Sequence, residues 1–107
     1  MTKKEKQIAI NNDIEYWINK FYNPDYETFK TKWERLDYCQ AETAETDNYV
    51  WLCSYNTIVA VIDKETGILY DVLRKVYGYT ATSAKHIAKF RHKFRGYIVA
   101  EMTWREV

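Results

Sequence analysis

Glycine and proline are scarce in this chain: three glycines and one proline among 107 residues. That scarcity leaves little room for glycine-built catalytic loops. No P-loop, no dinucleotide-binding glycine turn and no Gly-x-Ser-x-Gly nucleophile elbow occurs. Cysteine is also rare, with only Cys39 and Cys53. Two thiols exclude a disulfide framework and fit a reducing compartment, while a single bridge between them stays open. No apolar run reaches the ~18 residues that a membrane-spanning helix needs. The charged start Met1–Lys6 leads to Asn11, Asn12 and Asp13 rather than to an apolar stretch, which argues against a signal peptide. The chain reads as cytoplasmic, with no membrane contact.

Charge of one sign is missing from two long stretches. Leu36–Asp63 has no lysine or arginine but carries Asp37, Glu42, Glu45, Asp47 and Asp63. Val72–Ala100 has no acidic residue but carries Arg74, Lys75, Lys85, Lys89, Arg91, Lys93 and Arg95. The net charge of +1 hides this polarity. Local field, not net charge, decides which polyanion or acidic surface is attracted.

What is abundant is apolar and aromatic. Apolar residues make up 47% of the chain, enough for a real core and against disorder. The length fits one domain, residues 1–107. Most of the ten tyrosines and four tryptophans are expected to fill the core and cover a sheet, with some left at the surface.

The periodicity predicts an α+β fold in the order ααβββαβ. Thr2 and Glu5 have capping-box spacing ahead of a first helix with Ile10, Ile14, Trp17, Ile18 and Phe21 on one face. Asn23-Pro24 ends it and opens a second helix, with Tyr26, Phe29, Trp33 and Leu36 as its stripe. The two read as an antiparallel pair over a shared core. Residues 37–48 read as a connector with a short strand near Tyr38–Ala41. A three-stranded antiparallel meander follows: Tyr49–Tyr55, Thr57–Ile62 and Ile68–Leu73. Asn56 makes its first turn, and Gly67 takes the positive-φ position of its second.

A third helix follows Thr80 or Thr82 as N-cap and ends near Gly96. Ala84, Ile87, Phe90 and Phe94 share one side; Lys85, Lys89, His92 and Lys93 share the other, flanked by His86. The cations also suit the negative end of the helix dipole. Tyr97–Trp104 reads as a final strand.

The candidate binding residues are therefore Arg74, Lys75, Lys85, Lys89, Arg91, His92, Lys93 and Arg95. They could track a phosphate backbone or meet an acidic surface. A plain solvated face is the competing reading, but such faces usually alternate signs. Cys39, Cys53, His86 and His92 lack metal-ligand spacing and read as two buried thiols and two exposed histidines. Asp63, Glu65, Asp71 and Glu101 could serve a metal-dependent nuclease, although the turn already explains Asp63 and Glu65. His92-Lys-Phe-Arg95 matches one element of tyrosine recombinases without the rest of that set. Neither catalysis nor a cofactor is expected.

Two motifs stand together: Ser54-Tyr-Asn-Thr-Ile-Val-Ala-Val-Ile-Asp63 and Tyr79-Thr-Ala-Thr-Ser-Ala-Lys-His-Ile-Ala-Lys-Phe90. This pair resembles a family of small proteins encoded by phages and plasmids of Gram-positive bacteria, marked by a YNTxVA strand and a TTSKHIxxF helix start. Here Ala84 is inserted before Lys85-His86-Ile87, and the similarity covers residues 49–92. Some small proteins of this source are anti-CRISPR proteins, inhibitors of type II Cas9 nucleases that act by binding. The resemblance thus implies a monomer or homodimer in the host cytoplasm, with a Cas9-type nuclease, its guide RNA, or both as partner. The basic helix suits RNA or an acidic nuclease surface, and no sustained acidic face suggests DNA mimicry. The alternative is a nucleic-acid-binding accessory or regulatory protein of a phage or plasmid.

Overall fold

A computed structural model of the chain describes residues 1–21, 33–37, 40–55, 57–76, 78 and 80–105, without the side chains of 17–21. Helix α1 spans Lys3–Phe21. Its capping box forms as the sequence requires: the Glu5 amide donates to Thr2 Oγ1 (3.1 Å) and the Thr2 amide to Glu5 Oε1 (3.4 Å). The Asn23-Pro24 junction and most of the expected second helix lie outside the described residues. Its expected end is not helical: Glu34–Arg35 form β1, paired with Glu42 and Thr43 across an antiparallel ladder.

Five further strands complete one sheet: β2 Ala41–Glu45, β3 Tyr49–Ser54, β4 Thr57–Asp63, β5 Ile68–Asp71 and β6 Ala100–Thr103. They lie side by side in chain order, antiparallel from β1 to β5. The meander is thus the centre of a six-stranded sheet rather than a sheet by itself. The connector reading of residues 37–48 is corrected, because Ala41 and Ala44 are buried and β2 pairs along Ser54–Val50 of β3. Small residues that look like linker composition here let the sheet continue beneath helices.

β6 runs parallel to β5. A parallel neighbour needs a crossover, supplied by short helix α2 (Leu73–Val76) and helix α3 (Ala81–Lys93). The returning strand therefore stops at Asp71, two residues earlier than its pattern suggests, because Asp71 Oδ1 accepts the Leu73 amide (3.1 Å) and starts α2. Thr80 is the N-cap of α3 and accepts from the Ser83 amide (3.2 Å). Gly96 lies in a 3-10 turn, Arg95–Tyr97, so the final strand begins only at Ala100.

The helices cover opposite sheet faces. Ile87 and Phe90 of α3 pack with Leu36, Ala41, Val50, Leu52, Ile62 and Leu69. On the other face Ile14 of α1 packs with Ala44, Trp51, Val61, Tyr70 and Val72. The strict two-fold alternation of Val50, Trp51 and Leu52 sends neighbours to different layers. Gly67 meets the positive-φ expectation at +74°. Its carbonyl accepts the Val99 amide (2.8 Å), which docks the entry of β6 on the β4–β5 turn.

Candidate functional site

Helix α3 presents Ile87 and Phe90 to the sheet, so the turn of the helix carries Lys85, Lys89, His92 and Lys93 outward. All four are exposed. Leu36, Asp37, Ala88, Lys89, His92 and Lys93 line a cleft of about 580 Å³ among the described residues. Lys89 crosses it to Asp37 (Nζ–Oδ2, 3.1 Å). Both partners are about half exposed, and exposed pairs of this kind contribute only ~0–1 kcal/mol. Lys93 lies over the Phe94 ring, 5.5 Å from its centroid. Lys85 has no carboxylate partner among the described residues.

The other predicted residues go elsewhere. Arg95 folds back and donates to the His92 carbonyl (2.7 Å), closing the end of α3. Lys75 pairs with Glu15 of α1 (2.7 Å) and lies 5.2 Å from the Trp104 ring centroid. Arg91 donates through Nε to both oxygens of Glu101 (2.8 and 2.9 Å) on β6. Arg74 and Arg91 line a separate cavity with Asp71, Thr103 and Arg105. One basic edge in the sequence is therefore two sites in space. Asp37, Leu36 and Ala88 could not be placed in the first from local pattern, and Arg105 and Thr103 could not be placed in the second.

The acidic middle of the chain meets part of the basic edge. Glu45 accepts from Lys64 (2.8 Å) and from the Tyr97 hydroxyl (2.9 Å). The Lys64 contact holds its carboxyl below the usual range, helped by Tyr97 and by the field of Lys93, against the cost of burial. The same bond to Glu45 pushes the Tyr97 phenol up. Glu34, Thr43, Glu45, Lys93 and Phe94 line a smaller cavity of about 190 Å³.

His86 departs from expectation. It is buried, with 4% of its surface exposed, rather than flanking the basic face. Ser54 Oγ lies 2.8 Å from its Nδ1 and 3.0 Å from Ser83 Oγ, and both serines are buried. A polar pocket ready to hydrogen-bond the ring is why the histidine turns inward. Burial pushes its pKa down, and Lys89 adds to the effect. The Tyr55 ring stands 5.6 Å from that of His86. The two motifs that carry the family resemblance thus meet here, where Ser54 ties the end of β3 to α3. Cys53 is half-buried on β3, and Cys39 lies outside the described residues.

Among the described residues no three His, Cys, Asp or Glu side chains converge as metal ligands, and no helix is long and apolar enough to cross a membrane. Asp63, Asp71 and Glu101 occupy different surroundings: a turn, where Asp63 Oδ1 accepts the Glu65 amide, a cavity wall, and an ion pair with Arg91. No curated protein and no solved structure matches the chain. A family model does match, over residues 1–104, so the relationship takes in α1 and β1 as well as the two motifs. The chain belongs to that family, DUF8033, a family of unknown function.

Proposed function

We propose that this protein is a non-catalytic interaction protein of a phage or plasmid, an anti-CRISPR inhibitor that holds the guide RNA of a Cas9-type nuclease on the outer face of α3. The observation that carries this reading is the set of outward cations Lys85, Lys89 and Lys93, whose one ion pair among the described residues is the weakly held Lys89–Asp37 contact, with Glu45 reaching Lys93 only through its field. A phosphate displaces such a partner at small cost, because the exposed pair contributes so little. The adjoining cleft has apolar Leu36 and Ala88 beside His92. That combination suits single-stranded RNA, whose unstacked bases seek apolar or ring surfaces while its phosphates meet lysines. The motif resemblance supplies the nuclease as the first partner to try.

The test is capture of guide-loaded Cas9-type nuclease on the immobilised protein, with and without ribonuclease. Capture that disappears after ribonuclease, and in the variant Lys85→Glu/Lys89→Glu/Lys93→Glu, is the expected result. Capture that persists after ribonuclease in moderate salt would replace RNA binding with docking on the nuclease itself. No capture under either condition would remove the inhibitor reading.

A further inference from the structure

The second cavity lies away from the outer face of α3. It opens where the parallel strands β5 and β6 end side by side, at Asp71 and Thr103, which are register partners. It measures about 260 Å³. Three guanidinium-bearing residues line it: Arg74 from α2, Arg91 from α3 and Arg105 from the segment after β6. Leu73, Ala84 and Ile87 give it an apolar side.

The backbone that carries Arg105 is held from two directions. Asn11 of α1, itself buried, accepts the Arg105 amide through Oδ1 (2.9 Å) and donates through Nδ2 to the Arg105 carbonyl. One residue earlier, the Trp104 amide donates to the Asp71 carbonyl (3.1 Å). Gln7 adds a bond to the Thr103 carbonyl (3.3 Å). A long flexible side chain thus leaves from a fixed point. Arg91 is fixed differently: its Nε is occupied by Glu101, which orients the guanidinium plane.

Asp71 does not discharge these arginines. Among the described residues its carboxyl forms no ion pair, and the one hydrogen bond it makes there accepts from the Leu73 amide. Burial pushes its pKa up, while Arg91 and Arg74 act on it only through their field. The cavity therefore combines three guanidinium groups, of which Arg91 is paired with Glu101, a hydroxyl at Thr103 and a carboxyl whose ionised form burial disfavours.

We infer that this cavity is a binding site for a phosphate monoester, with Arg74, Arg91 and Arg105 as its charged contacts. Planar guanidiniums arriving from three elements suit the several oxygens of one phosphoryl group better than a run of backbone phosphates. The apolar side leaves room for a small organic group attached to it. The site stands whether or not the outer face of α3 holds RNA, since it shares none of Lys85, Lys89 and Lys93.

The probe is inorganic phosphate, followed by ³¹P NMR and calorimetry at constant ionic strength. Saturable one-to-one binding is expected. Arg105→Ala should weaken it about tenfold or more, the loss of one charge-assisted contact, with an unchanged melting temperature. Arg74→Ala, on a different element, should do the same if Arg105→Ala perturbs the fold. Asp71→Asn should tighten binding roughly threefold, by removing a nearby negative charge. A 5′-phosphorylated and a 5′-hydroxyl oligoribonucleotide of one sequence then separate the sources. A preference for the phosphorylated end that vanishes in Arg105→Ala assigns a nucleic-acid terminus, and equal binding of the two assigns a free small phosphate. No saturable phosphate binding, or wild-type affinity in both arginine variants, overturns the inference.

Discussion

Replacing Lys85, Lys89 and Lys93 by glutamine should change salt dependence more than stability. Each lysine that neutralises a phosphate of single-stranded RNA contributes about −0.7 to the slope of log affinity against log salt. Three contacts, from Lys85, Lys89 and Lys93, would give a slope of about −2.1. Between about 50 and about 200 mM salt, the wild-type protein should then lose roughly 20-fold in affinity. The triple variant, with none of the three left, should show a slope near zero and weak binding over the same range. Glutamine keeps helix propensity, so α3 should persist. Among the described residues the only ion pair removed is Lys89–Asp37, whose side chains are 45% and 53% exposed. Its loss should cost less than about 1 kcal/mol, a shift of a few degrees in melting temperature at most. Fluorescence anisotropy of labelled single-stranded RNA over a salt series reads the slopes, and circular dichroism reads the melting. A triple variant that folds normally and keeps both the wild-type affinity and the wild-type slope would refute the reasoning. So would a wild-type slope near zero.

Two further outcomes concern the scaffold. The His86 pKa is pushed below its ordinary 6.5 by burial, so the unfolded chain takes up the proton first as pH falls. Stability from this group is fully present above about pH 6.5 and is lost as pH falls through the lower folded value. Urea midpoints should therefore drop on acidification below that point, and His86→Gln should show a smaller drop; equal drops in both proteins would exclude His86 as the cause. Gly67→Ala should destabilise by at least about 1–2 kcal/mol, because the residue holds a φ of +74°. The new Cβ would also stand 2.8 Å from Val99 Cγ2. Adding Val99→Ala should relieve the contact but not the backbone strain, so complete recovery of the urea midpoint in the double variant would show that crowding alone was at fault.

The elements legible in the sequence are those fixed by near neighbours. The Thr2–Glu5 capping box, the Thr80 start of α3, the apolar side with Ile87 and Phe90, and the Gly67 turn all depend on residues within about four positions. The meander was legible because β-branched runs and turn residues alternate. The elements that were misread depend on distant partners. Glu34–Arg35 extend because β2 offers them a ladder, and Ala41–Glu45 are a strand because they pair with β3 while the α3 side of the sheet buries Ala41 and the α1 side buries Ala44. His86 sits at the border of a helical wheel, and only the arrival of Ser54 from β3 turns it inward.

The chain order of charges was set by the sequence alone: an acidic middle, then a stretch of cations with no carboxylate between them. Which cation meets which anion was decided only by tertiary structure. Lys89 and Asp37 are separated by 52 residues and are brought together by the packing of α3 on the sheet edge. Arg74, Arg91 and Arg105 share a cavity because a parallel crossover brings α2, α3 and the end of β6 to one place. Coulomb energy falls with distance through space and takes no account of distance along the chain. A sequence therefore fixes how much charge there is, and the fold fixes where it acts.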